Sequence, residues 1–121
     1  MSINPNQLDE ELREKLMNLQ NLQNNLEFIV NQRIQLESQL KETDLAIEEL
    51  EKTSSEETVY KSIGGIMVKS NKDKLLSEKK NDKATAEMRV KTLKQKEERT
   101  RNQLQQLSQT LQSELQQKQS A

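Results

Sequence analysis

The chain has 121 residues, of which 31% are hydrophobic, 32% are charged and 2% are aromatic, and its formal net charge is −1. This apolar share is below that of a typical globular domain, so the composition leaves either disorder or long helices with a narrow apolar seam. The sequence contains no cysteine and no histidine, which excludes disulfides, thiolate nucleophiles, zinc-finger sites and imidazole acid–base chemistry.

The apolar segments of the chain are short. The longest runs, such as residues 28–30 and 66–68, are far below the length that spans a bilayer, and no charged and apolar leader opens the chain. We therefore expect no membrane partner. The lack of cysteine suits a cytoplasmic location.

The first predicted element is a helix over residues 5–53. Asn4 is placed to cap this helix and Pro5 to occupy its first turn. Apolar residues then recur at alternating spacings of four and three, which is the seven-residue period of a coiled coil. The series consists of Leu8, Leu12, Lys15, Leu19, Leu22, Leu26, Ile29, Arg33, Leu36, Leu40, Thr43, Ile47 and Leu50.

The second predicted element is a β-hairpin over residues 58–70. Gly64 and Gly65 lie between two β-favouring runs, and glycine readily adopts the positive φ that a two-residue turn requires. A turn at this point pairs Ile63 with Ile66. Side chains alternate across a sheet, so one face carries Val59, Lys61, Ile63, Ile66 and Val68, and the other carries Tyr60 and Met67.

This hairpin lacks cover for its apolar side chains, and a two-stranded hairpin alone is marginally stable in water. We therefore predict that it is an assembly element whose edges pair with hairpins of other subunits. The predicted assembly residues are Val59, Tyr60, Ile63, Gly64, Gly65, Ile66, Met67 and Val68. The alternative is a simple tight connection between two helices.

The third predicted element is a helix over residues 71–118, with Ser70 as its N-cap and Asp73 three residues later. Its heptad series is less apolar than the first, and it is rich in lysine just after the hairpin. The series consists of Leu76, Lys79, Lys83, Ala86, Val90, Leu93, Glu97, Thr100, Leu104, Leu107, Leu111, Glu114 and Lys118.

Two helices of similar length around a tight turn are expected to fold back as an antiparallel pair. This arrangement brings Lys15 near Glu114 and Arg33 near Glu97, so the polar interruptions of the two seams are complementary in charge. Residues 1–58 carry 5 basic and 13 acidic side chains, whereas residues 69–101 carry 12 basic and 6 acidic side chains. The opposite charges of the two arms favour the same pairing.

The sequence shows no catalytic constellation. Its paired carboxylates lie on solvated helix faces, the two glycines lack phosphate-loop spacing, and no ligand set for a metal is present. We therefore expect neither an enzyme nor a cofactor. A rival hypothesis is phosphate contact with nucleic acid through a basic stretch, which is opposed by the acidic first arm and the absence of interleaved aromatic residues. The stretch comprises Lys79, Lys80, Lys83, Arg89, Lys91, Lys94, Lys96, Arg99 and Arg101.

Apolar residues exceed the needs of the seam at the open end of the helix pair. Leu16 and Met17 lie off the first seam, and Leu115 lies off the second. Such a surplus remains partly exposed and suits contact with varied partners, although ordinary packing with a few surface leucines is the alternative. The candidate contact residues are Leu8, Leu12, Leu16, Met17, Leu111 and Leu115.

Two segments carry a resemblance to a known family. Residues 59–69, Val-Tyr-Lys-Ser-Ile-Gly-Gly-Ile-Met-Val-Lys, and residues 91–99, Lys-Thr-Leu-Lys-Gln-Lys-Glu-Glu-Arg, followed by Gln103-Leu104, resemble the beta class of the prefoldin family of cytosolic co-chaperones. The single hairpin fits the beta class better than the alpha class.

The resemblance implies a mostly α fold, in which a long antiparallel two-helix coiled coil is joined by one β-hairpin that assembles into an inter-subunit β-barrel. It also implies a heterohexamer of two alpha-class and four beta-class subunits. The candidate contact residues above would hold non-native polypeptide, and the complex would deliver it to a group II chaperonin without ATP. The alternative is a structural coiled-coil spacer or adaptor without client-holding activity.

Overall fold

The computed structural model describes the backbone of residues 5–119 and the side chains of residues 10–117. Helix α1 spans Pro5–Lys52, strand β1 spans Val59–Ile63, strand β2 spans Ile66–Ser70, and helix α2 spans Lys72–Gln119. The predicted fold of two long helices joined by one β-hairpin is therefore confirmed. Asn4, the predicted cap of α1, lies outside the described residues.

The two predicted seams are confirmed by burial. Every described member of both heptad series is half-buried or buried, whereas most residues between them are exposed. Because α1 contains no glycine and no proline after Pro5, nothing in its sequence interrupts the helix before its polar end. The narrow apolar stripe that the composition allows thus lies along one side of each helix, where it is buried or half-buried.

The chain divides into two compact units. The terminal unit takes in α1 up to Gln32 and α2 from Leu93, and the hairpin unit comprises Arg33–Thr92. In the terminal unit, Leu111 is buried in the seam, and Lys15 forms an ion pair with Glu114, as the antiparallel alignment predicts. Each of these two charged side chains is about one-third exposed, which limits the contribution of the pair to stability.

In the hairpin unit, Ile47, Leu75 and Val90 form the buried core. Lys83 donates to Asp44 across the helices with Nζ–Oδ1 at 2.8 Å. This hydrogen bond raises the pKa of Lys83 above its ordinary value of 10.5. Because the pKa is raised, the ion pair stabilises the folded chain at pH values below 10.5, and this contribution is lost only as the pH rises through the folded-state pKa. The pair is therefore intact at neutral pH.

The polar residues of the two seams have the following partners within each unit. In the hairpin unit, Arg33 donates to Glu37, with Nη1–Oε2 at 3.2 Å. In the terminal unit, Arg101 donates to the buried Glu97, with Nη2–Oε1 at 3.0 Å. Each pair spans one helical turn, so the charged seam residue, Arg33 or Glu97, is accompanied by an opposite charge from its own helix.

Two local features differ from the sequence prediction. The predicted Ser70 cap is wrong, because Ser70 ends strand β2 and pairs with Val59, while the Asn71 side-chain oxygen accepts from the Lys74 backbone N–H at 2.8 Å. Leu75, which lies one residue before the predicted seam position Leu76, is only 5% exposed. Both differences occur where α2 meets the hairpin.

The predicted pairing of Ile63 with Ile66 is confirmed, and the same register continues through Ser62–Met67, Lys61–Val68, Tyr60–Lys69 and Val59–Ser70. Gly64 and Gly65 have φ values of 52° and 88°. Both values match the type I′ turn, whose twist suits the flanking strands.

We expect Gly65→Val to destabilise the hairpin by about 1–2 kcal/mol, because an L side chain is strained at positive φ even where space is open. Gly65→Asn is the matched control, since asparagine tolerates the left-handed region. Amide hydrogen exchange of Tyr60–Val68 measures the difference. Equal protection in the two variants would contradict the prediction.

Candidate functional site

The hairpin presents large apolar side chains on both of its faces. On one face Ile63, Ile66 and Val68 are 48%, 66% and 43% exposed. On the other face Tyr60 and Met67 are 55% and 65% exposed. Only Val59 and Ser70, at the root of the hairpin, are half-buried. Five large apolar side chains on ten strand residues form a patch that a partner would bury.

Both edges of the hairpin are open, since within the described residues the sheet has only two strands. Ile63 and Ile66 close a two-residue turn and therefore form a hydrogen-bonded pair. Hydrogen-bonded and non-hydrogen-bonded pairs alternate along an antiparallel ladder. The outward-pointing backbone groups thus belong to Tyr60 and Ser62 on β1 and to Met67 and Lys69 on β2.

One ion pair joins the hairpin to α2. Lys61 donates to Glu78, with Nζ–Oε2 at 2.8 Å. This hydrogen bond lowers the pKa of Glu78 below its ordinary value of 4.5. Because Leu75 precedes Glu78 by one helical turn, it lies on the same side of α2, which faces the hairpin. The heptad rule reports only the side that faces α1, so it did not identify Leu75 as a core residue.

At the open end of the terminal unit, the structure leaves three of the predicted contact residues exposed. Leu16, Met17 and Leu115 are 52%, 60% and 48% exposed. Leu12 is half-buried, and the side chain of Leu8 lies outside the described residues. Leu111 is only 4% exposed, so it packs in the seam and presents almost no surface.

Leu16 and Leu115 lie on the same flank of the helix pair. Each follows one member of the Lys15–Glu114 ion pair, so the two leucines belong to the same layer. In an antiparallel pair, the residues that follow equivalent seam positions project to the same side of the interface. The corresponding positions on the opposite flank are polar, namely Glu11, Asn18, Thr110 and Gln117. At the open end, the exposed leucines Leu16 and Leu115 therefore lie on one flank only.

Four further exposed apolar side chains were missed by the sequence analysis. Phe28 lies in the terminal unit, and Ile34, Leu45 and Met88 lie in the hairpin unit, with exposures between 53% and 64%. The signal was available, since each is a large apolar residue outside the heptad series. They are scattered singly along the helices, which is common on protein surfaces.

The basic stretch of α2 has acidic neighbours. Lys83 pairs with Asp44, Lys80 lies 3.9 Å from Glu51, and Arg101 pairs with Glu97. Among the residues with described side chains, no three acidic groups cluster as a metal ligand set. No helix in the described part of the chain has the length and apolarity to cross a membrane.

Comparison with known proteins gives a consistent result. Residues 13–118 match the profile of a family described as prefoldin subunit. The chain is 38% identical over 107 residues to the prefoldin subunit beta of Archaeoglobus fulgidus, covering 88% of this chain and 92% of that protein. It is 34% identical over 109 residues to the prefoldin subunit beta of Methanothrix thermoacetophila, covering 90% of this chain and 91% of that protein.

A solved structure agrees with these sequences. The crystal structure of the prefoldin beta subunit from Thermococcus strain KS-1 matches with a TM-score of 0.79 and 30% identity, over 94% of this chain and 96% of that chain. The shared architecture is the helix pair with a single hairpin. The chain therefore belongs to the beta class of the prefoldin subunit family, whose members are non-enzymatic co-chaperone subunits that assemble with other prefoldin subunits.

Proposed function

We propose that this chain is a subunit of an ATP-independent cytoplasmic co-chaperone. In this proposal, two alpha-class and four beta-class subunits join their hairpins into a β-barrel platform. The open ends of the helix pairs hold non-native polypeptide and deliver it to a group II chaperonin. The observation that carries the proposal is the hairpin, which combines five exposed large apolar side chains with two open edges.

The hairpin supports assembly for two physical reasons. Its edge backbone groups at Tyr60, Ser62, Met67 and Lys69 can extend the ladder into a neighbouring strand. Burial of the exposed parts of Ile63 and Ile66 supplies the apolar contribution, at about 25 cal/mol per Å² of surface removed from water. A two-stranded sheet without partners is marginal, so assembly stabilises the hairpin and the complex together.

The terminal unit supports the client-holding part of the proposal. Leu16 and Leu115 can each bury about half of a leucine side chain against an apolar client segment, which is worth on the order of 1 kcal/mol per residue. Such contacts are weak individually. Several open ends that act on one client provide avidity while each contact stays reversible.

The test of the proposal is reconstitution. We expect this chain, mixed with an alpha-class prefoldin subunit, to form a hexamer by native mass spectrometry and to reduce light scattering from a denatured client without ATP. The chain mixed with buffer alone is the assembly control. A monomer that ignores the alpha-class subunit, or client aggregation unchanged by the hexamer, would contradict the proposal.

A structural spacer is the second candidate. Leu16, Met17 and Leu115 form only a small exposed apolar surface, and a surface of this size does not by itself require a client. A spacer assembles through the same hairpin but leaves client aggregation unchanged. The two functions therefore separate on the scattering measurement and agree on the mass spectrum.

A further inference from the structure

The hairpin is attached to the helices by few contacts. Residues 53–58 connect α1 to β1 and are almost entirely exposed, while Asn71 alone separates β2 from α2. In the connection from α1, the Glu57 backbone N–H donates to the Ser54 carbonyl oxygen at 3.1 Å, which closes one local turn. Within the described residues, no hydrogen bond of these two connections joins a strand to a helix, so the angle of the hairpin depends on side-chain contacts.

Lys61 and Glu78 supply a directional contact beside the buried Leu75. Among the described side chains, theirs is the only hydrogen bond or ion pair that joins a strand of the hairpin to a helix. Lys61 is the middle residue of β1, and Glu78 lies in the second turn of α2. The bond therefore joins the middle of the hairpin to the helix, and it lies away from the root at which the backbone already connects them.

The angle of the hairpin matters because an assembly of several hairpins must close. Each hairpin must present an open edge to one neighbour and its apolar face to the interior at the same time. A subunit held at the productive angle loses less conformational freedom on association, so a preorganised hairpin binds more tightly than a free one.

We propose that Lys61 and Glu78 are positioning residues for assembly, whose ion pair holds the hairpin at the angle at which its edges and its Ile63, Ile66 and Val68 face meet a neighbouring prefoldin subunit. This inference rests on the proposed assembly of the chain through its hairpin. The inference adds two residues that act by orienting the strands and not by contacting a neighbouring subunit.

The charges around Glu78 make this constraint sensitive to acid. Lys61 approaches it from β1, and Lys74 and Lys79 approach it from α2 itself. Because the pKa of Glu78 is lowered, its ion pair with Lys61 stabilises the folded chain at pH values above 4.5. This contribution is lost as the pH falls through the folded-state pKa. Once Glu78 is protonated, it no longer offsets the positive charges of Lys61, Lys74 and Lys79, and the ion pair that holds Lys61 on α2 is lost.

The experiment compares single and paired substitutions in the full chain with the alpha-class subunit present. We expect Glu78→Gln and Lys61→Met each to raise the concentration for half-assembly by about 3- to 5-fold, as befits a half-exposed pair. The charge-reversed double variant Lys61→Glu with Glu78→Lys should return to within about 2-fold of wild type, because the pair is restored with opposite polarity.

The matched control is Asp44→Asn. Asp44 and Lys83 form an ion pair with the same 2.8 Å separation and similar exposure, but it joins the two helices and leaves the hairpin out. We expect this variant to assemble like wild type. Circular dichroism should show equal helicity in all variants, which separates positioning from folding.

A pH series supplies a readout that a purely structural role would not change. As the pH falls below about 4.5, assembly of Glu78→Gln should fall less steeply than that of wild type, because one titrating group is absent. If wild type assembles and both single variants match it at every pH, the inference is overturned and the proposed function stands. If wild type itself fails to assemble, both are overturned.

Discussion

Serine at both Ile63 and Ile66 is expected to abolish assembly at concentrations where wild type is fully assembled. The two side chains are 48% and 66% exposed in the single chain, so each has about half or more of its surface left to bury. Full burial of an isoleucine is worth about 1.5–3 kcal/mol, which gives roughly 2–4 kcal/mol for the pair and an affinity loss of about 30-fold or more.

The measurement is native mass spectrometry or sedimentation with the alpha-class subunit over a range of concentrations. The control is Leu45→Ser with Met88→Ser, which removes two side chains that are 61% and 64% exposed but lie on the helices. Helicity should be unchanged in both double variants. Assembly of the hairpin variant at wild-type concentrations would show that the patch is not buried in the complex.

The second large effect concerns the open end of the helix pair. Leu16→Ser with Leu115→Ser is expected to remove most client protection while the complex still assembles, because neither residue belongs to the hairpin or to the buried core. The loss is about 1 kcal/mol per leucine at each open end. In the proposed complex several open ends share one client, so the combined loss of affinity should exceed about 30-fold.

Light scattering from a denatured client, titrated with the assembled complex, measures this effect. The variant with serine at Leu45 and Met88 again serves as the control, because it removes a similar exposed apolar area elsewhere. A further variant, Asn18→Ser with Thr110→Ser, changes the opposite flank and should leave protection unchanged. Full protection by the Leu16 and Leu115 variant would favour the spacer over the co-chaperone.

In the proposed function, the flank that carries Leu16 and Leu115 would give the client contact a direction. Leu16 and Leu115 project to one side of the terminal unit, and the polar residues of the opposite flank keep that side hydrated. An isolated helix pair with apolar residues on every side would associate with other copies through its ends. With the exposed leucines on one flank alone, the proposed client contact remains available while association between copies is limited.

The hypothesis that the basic stretch binds nucleic acid is weakened by the acidic residues beside that stretch. Within the hairpin unit, Asp44 pairs with Lys83 and Glu51 lies near Lys80, so carboxylates of α1 already neutralise these cations. A phosphate backbone would have to displace these intramolecular partners. The charge asymmetry between the arms is therefore better explained by helix pairing.

The sequence by itself determined the seams, the strand register and the turn. Seven-residue periodicity reports which side of a helix faces its partner, so every described seam residue from Leu12 to Glu114 follows from the sequence alone. Adjacent glycines between β-favouring runs admit one tight turn, and the pairing of Ile63 with Ile66 follows from it. The ion pair of Lys15 with Glu114 follows from folding the chain about that turn.

The tertiary structure decided the features near the hairpin and the exposure at the open end. Heptad spacing treats α2 as a partner of α1 alone, so it could not show that Leu75 is buried or that Glu78 holds Lys61. It also could not separate Leu111, which fills the seam, from Leu16 and Leu115, which lie beside it. The physical reason is that periodicity records one interface per helix, whereas burial sums the contacts from every element that packs on it.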